Sequence, residues 1–226
     1  MQPPRNEPQT ETELLARCSV IAGMTLGELA KLAKVKIPKD FKRHKGWAGQ
    51  LIELWLGAEA GSKPTQDFQH LGIELKTIPV DYQGMPLETT YVCYCPLQGL
   101  QGLNWLNSNV FNKLQRVLWL PVQGNRDIAP ADRIIGNGFL WSPNANQINV
   151  LRNDWEELME AIVLGNVAQI TARMGDALHL RPKAASGQIT AEATGDSGTL
   201  IQTRPRGFYL RKSFTQQILQ QQFGTF

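Results

Sequence analysis

The sequence predicts an α/β (α+β) fold, and two observations carry that expectation. Apolar residues recur at helical spacing early in the chain, again around residues 147–165, and at its end. Between these stretches lie short period-two runs bounded by Gly, Pro and Asn, the signature of strands. Helices come first and a sheet with interspersed helices follows, an order that suits layered α/β or α+β architecture. At 226 residues the chain suits one large domain or two lobes around a sizeable core.

Residues 1–11 are polar and proline-rich with no apolar centre, so a disordered tail is expected rather than a secretory leader. From Thr12 the pattern is helical, with Leu14, Leu15, Cys18 and Ile21 on one face, stopping near Gly23. Thr25 and Glu28 form a capping box that opens a second helix, whose stripe is Leu26, Leu29, Leu32 and Ala33. A basic linker over 36–45 leads to a third helix over 46–58, apolar nearly all round and therefore expected to be buried. Its one charged residue is Glu53. A lone carboxylate there is costly unless it is paired, protonated or metal-bound, and it also has a plain reading as a group reaching solvent or an arginine.

A loop over 59–66 precedes "DFQHLGIELKTIPVD" (67–81), with Gly72 as a tight turn between two short strands. A turn at 82–86 and a strand over 87–95 come next. After a Gly/Asn loop, "NKLQRVLWLPV" (112–122) reads as a strand in its second half, and 133–143 as another. Residues 147–165 form the clearest helix, and a shorter one is expected over 166–174. The glycine-rich 186–200 reads as a mobile loop. "GFYLRK" closes the sheet and "SFTQQILQQQF" the chain. There are no internal repeats.

Composition restrains function. With 42% hydrophobic and 19% charged residues the chain is ordinary for a soluble globular protein. No run of about 18 apolar residues is present to span a membrane. The three cysteines, Cys18, Cys93 and Cys95, lack metal-ligand spacing and point to reduced packing thiols in a cytoplasmic protein. The formal charge of +3 permits a nucleic-acid partner without demanding one. Cations cluster at 36–45 and 204–212, either as solvated surface or as phosphate contacts.

The chemistry sits in the Asp67-x6-Glu74-x-Lys76 spacing. Strand alternation sends Glu74 and Lys76 to one face, and the Gly72 turn lets Asp67 approach Glu74. Two carboxylates and the Leu75 carbonyl are hard oxygen ligands of the kind Mg²⁺ prefers, with positions left for water and phosphate. Lys76 is placed to polarise an attacking water or to stabilise charge on the transition state. Glu53 would complete the acidic pocket. As a bare pattern this is weak, because most acidic-x-basic triplets on strands are solvated cross-strand pairs.

The segments "KGWAGQLIELWLGAEAGSKPTQDFQHLGIELKTIPVD", "LETTYVC", "DWEELMEAIVLG", "ITARMGDALHLRPKAA" and "PRGFYLRKSFT" resemble the MutH family of mismatch-repair endonucleases, over nearly the whole chain from about residue 12. The resemblance implies a restriction-endonuclease-like mixed central sheet flanked by helices, within a single domain (12–226) whose two lobes form a DNA-binding cleft. It implies Mg²⁺-dependent nicking of the unmethylated strand at hemimethylated GATC sites by a monomer, switched on by MutL after MutS finds a mismatch. By motif, Asp67, Glu74 and Lys76 are catalytic, Glu53 lies in the acidic pocket, and Lys113 sits near the scissile phosphate. The family carries an Arg-His pair before that lysine where this chain has Phe111 and Asn112, a departure that bears on local phosphate contacts. Lys45, Gly46, Arg181, Pro182 and Tyr209 match DNA-contacting positions, with Tyr209 as the sensor of adenine methylation. Tyr209 also has a plain reading, as a half-buried strand residue packed with Phe208. The rival functions are a GATC restriction enzyme cutting both strands, a non-catalytic DNA-binding module and a protein-interaction domain.

Overall fold

The computed structural model describes residues 3, 4, 6–40, 44, 46–58, 65–183 and 189–224. Lys45, residues 41–43 of the basic linker and part of the glycine-rich segment lie outside these residues. The chain divides into two compact units. The first comprises Met1–Glu88, Gln115–Ser142 and Ile218–Phe226, and the second Thr89–Leu114 and Pro143–Gln217.

In the first unit, α1 (Glu11–Ile21) starts where the Thr10 side chain accepts the Glu13 N–H, and it buries Leu14, Cys18 and Ile21. In α2 (Leu26–Ala33) both bonds of the expected Thr25–Glu28 capping box are made. Helix α3 (Trp47–Leu56) buries Trp47, Leu51, Ile52, Trp55 and Leu56. Leu54 on its other side is 45% exposed, so α3 is not buried all round as its composition suggests. These helices pack on a three-stranded mixed sheet in the order β1-β3-β4. Strand β1 (Glu74–Val80) runs parallel to β3 (Val117–Gln123), from Glu74 opposite Val117 to Val80 opposite Gln123, and β4 (Phe139–Trp141) is antiparallel to β3. Val117 to Val122 of β3 are all buried, as a central strand covered on both faces requires. Residues of the expected tail make contacts. The Asn6 carbonyl accepts from Arg17, Glu7 pairs with His70, and Pro8 is buried.

In the second unit, β2 (Thr90–Tyr94), β5 (Leu178–Pro182) and β8 (Arg206–Leu210) form an antiparallel sheet in the order β2-β8-β5. Helix α5 (Ala145–Val163) is capped by Asn144 with Gln147, and α6 (Lys212–Phe223) follows β8. Three elements differ from the sequence reading. Asn109–Leu114, read as loop and the start of a strand stretch, is a short helix, α4, because Ser108 accepts the Phe111 N–H and Val110 and Leu114 are buried together. The expected helix over 166–174 is only a 3-10 turn at Val167–Gln169, and the carbonyls of Val167 and Ile170 accept from Arg206 instead of helical N–H groups. Within the glycine-rich segment, β6 (Ala191–Thr194) and β7 (Leu200–Thr203) pair as a hairpin. Gly165 is needed beside it. Its φ is +79°, and a Cβ there would lie 2.3 Å from the Gly195 carbonyl oxygen.

Candidate active site

The Asp67 segment is folded back by a short local device. Phe68 and Ile73 exchange backbone hydrogen bonds at 2.9 and 3.2 Å, Gln69–Leu71 make one 3-10 turn, and Gly72 closes it with φ +65°. The first of the two expected short strands is thus a single bridge. This turn lays Asp67 beside β1, where its Oδ2 accepts the Leu75 N–H at 2.8 Å. Ile73 and Leu75 enter the core, while Glu74 and Lys76 share the other face as alternation requires. Glu74 is 3% exposed, and Lys76 Nζ donates to its Oε1 at 2.5 Å. A carboxylate so deeply buried needs such a partner, since desolvation penalises its charge.

Glu53 is half-buried on α3. Among the described residues no three His, Cys, Asp or Glu side chains are grouped to hold a metal ion. Asp67 and Glu74 remain a two-carboxylate pair, and two carboxylates with waters are a donor set that Mg²⁺ accepts.

The other sequence-derived residues lie mainly in the second unit. Lys113 is 8% exposed on α4. Phe111, in place of the family's Arg-His pair, packs against Trp105 at 5.4 Å, and Trp105 against Trp155 at 6.0 Å, so the departure extends an aromatic cluster. Gly46, in the first unit, caps the start of α3. Pro182 ends β5 and is exposed.

Tyr209 is central to the sheet of the second unit. Phe208 is buried on the opposite face, which removes the reading of Tyr209 as its packing partner. Tyr91 on β2 and His179 on β5 flank Tyr209 in register, with ring centroids 5.3 and 6.3 Å away. The Arg181 guanidinium lies 5.5 Å from the Tyr209 ring and donates to Thr89 Oγ1 at 2.8 Å. Lys183 Nζ lies 4.3 Å over the Tyr91 ring. A face of tyrosines and cations has the character of a nucleic-acid contact. Gly207 makes it possible, since a Cβ there would lie 2.9 Å from Tyr91. Sequence reasoning singled out Tyr209 and Arg181 on this face but not Tyr91, His179 and Lys183. The signal was the strand register, which no local pattern encodes.

Comparison with known proteins bears on both groups. Residues 56–154 match the family model "DNA mismatch repair enzyme MutH", a span containing Asp67, Glu74, Lys76 and Lys113. The DNA mismatch repair protein MutH of Vibrio vulnificus (strain YJ016) is 59% identical over 218 residues, covering 96% of each chain. The chain belongs to the MutH family. MutH proteins of Vibrio cholerae (strain O395) and Shewanella baltica (strain OS185) are 57% and 55% identical over 96% and 98% of this chain, and over 98% of their own lengths. Membership makes the chain a DNA mismatch-repair endonuclease with a restriction-endonuclease-like fold.

The cysteines play no part in this chemistry. All three are buried, and burial pushes the Cys18 thiol up to about 12 and the Cys95 thiol higher still.

Proposed function

We propose that this endonuclease nicks the unmethylated strand at hemimethylated GATC sites, using Mg²⁺, as a monomer activated by MutL after MutS has found a mismatch. The observation that carries the chemistry is the Asp67–Leu75 hydrogen bond beside the Glu74–Lys76 pair, which assembles two carboxylates and an ammonium on one edge of β1. Bound there, Mg²⁺ would supply Lewis-acid polarisation of the phosphate and acidify a water.

Asp67 and Glu74 would hold the ion, with the Leu75 carbonyl as a further ligand. Lys76 orients the attacking water and stabilises negative charge on the phosphoryl oxygens. Glu53 would join Asp67 and Glu74 in the acidic pocket. Lys113, Lys45, Gly46, Arg181 and Pro182 position the duplex. Tyr209 reads the adenine edge: an N6-methyl projects into the major groove and would clash with a ring packed against it.

Three buried cysteines without metal-ligand spacing suit a reducing compartment, so the cytoplasm is the proposed location. Among the described residues no helix is long and apolar enough to cross a membrane. The test is nicking of hemimethylated, fully methylated and unmethylated GATC duplexes with Mg²⁺, with and without MutL. Cutting confined to unmethylated strands and stimulated by MutL supports the proposal. Equal cutting of all three duplexes, or paired cuts from a lone chain, overturns it.

A further inference from the structure

We propose that His179 is a positioning residue for Tyr209, and that discrimination between methylated and unmethylated adenine requires His179 to be neutral. The inference rests on the reading of Tyr209 given above.

His179 lies opposite Tyr209 in the β5–β8 register, is 5% exposed, and meets its ring at an interplanar angle of 82°. Nδ1 is 3.2 Å from the Ala172 carbonyl oxygen, which only accepts, so Nδ1 carries the proton. Nε2 is then a bare acceptor, buried and without a hydrogen-bond partner. The charged groups around it favour this neutral form. Arg181 lies two residues along the same strand, and Arg211, beyond β8, donates to the same Ala172 carbonyl at 2.8 Å. On α5, the Asp154 carboxylate is occupied by the N–H groups of Asp176, Ala177 and Leu178. Tyr209 on β8 presents a ring, and Tyr91 on β2 lies beyond it.

Protonation would add a third cation and leave Nε2–H buried with no acceptor. Burial holds the imidazole below its ordinary value; the Ala172 carbonyl comes next and pulls upward, and Arg211 and Arg181 each add a smaller downward push. Once protonated, the ring must leave its niche, and Tyr209 loses the edge that fixes it against β5.

The experiment measures the ratio of nicking rates on unmethylated and methylated GATC strands between about pH 5.5 and 8. A ratio cancels the pH dependence shared by the chemistry. For the intact protein it should be flat at the alkaline end and fall on the order of three- to tenfold at the acid end, the scale of one lost ring contact. In His179→Asn the amide can still donate toward Ala172 but does not titrate, and the ratio should be flat throughout. The same acid fall in His179→Asn overturns the inference. Tyr209→Ser, run alongside, should discriminate poorly at every pH. If it does while His179→Asn behaves as the parent, the reading of Tyr209 stands and this inference fails. If Tyr209→Ser discriminates fully, both fail. The NMR titration of the parent protein, which has three histidines, is independent of variant folding. His179 should titrate below the usual imidazole range, and the Tyr209 ring signals should move at the same midpoint. Separate midpoints overturn the inference.

Discussion

Asp67 has two tasks, and they can be separated. Its charge belongs to the metal-binding pair, while its Oδ2 accepts the Leu75 N–H and so holds the turn against β1. Asp67→Asn keeps an acceptor for that N–H and removes the charge. We expect it to fold and bind DNA as the parent does while losing cleavage by at least about a hundredfold. Cleavage by Asp67→Asn at the parent rate in Mg²⁺ would show that the assignment is wrong. Lys76 permits a similar separation. If its ammonium acts on the transition state, Lys76→Ala lowers the cleavage rate by about two orders of magnitude or more with little change in DNA affinity. Equal losses of rate and affinity would make it a ground-state phosphate contact. Removing Lys76 also breaks the ion pair of the buried Glu74, so a melting curve must accompany the kinetics.

At the scale of elements, the loop before β5 shows how a recognition strand is held. Asp154 on α5 accepts three backbone N–H groups, from Asp176, Ala177 and Leu178, at 2.7 to 2.8 Å. Arg211 grips the same loop from the other side, donating to the carbonyls of Ala172, Met174 and Gly175. The two side chains fix the start of the strand that carries His179 and Arg181. Asp154→Ala would leave buried donors unsatisfied, and we expect a loss on the order of 3 kcal/mol in denaturant unfolding. A change below about 0.5 kcal/mol, the range of ordinary surface substitutions, would refute the clamp. The same elements explain a misreading. Residues 166–174 have helical composition, but Arg206 takes the Val167 and Ile170 carbonyls that a helix would have used, and Gly165 yields to the approach of the β6–β7 hairpin.

For the whole molecule, charge and stoichiometry decide two outcomes. Binding that depends on lysines and arginines meeting phosphates should weaken steeply with salt, with the logarithm of affinity falling linearly against the logarithm of salt concentration. A flat response would remove the cationic contacts from the account. One Asp67, Glu74 and Lys76 set per chain should convert supercoiled plasmid to open circles, and linear product as the first species would imply paired chains. What the sequence determined by itself was local. The capping box at Thr25, the turn at Gly72, the shared face of Glu74 and Lys76 and the approach of Asp67 all arise between residues close along the chain, where backbone periodicity dictates geometry. Tertiary structure decided the rest. Helix α4 forms where Val110 and Leu114 find cover, and the row of Tyr91, Tyr209 and His179 exists only through the pairing of β2, β8 and β5. Those strands are distant in sequence, and register between distant strands is set by burial across the whole sheet, which no local pattern encodes.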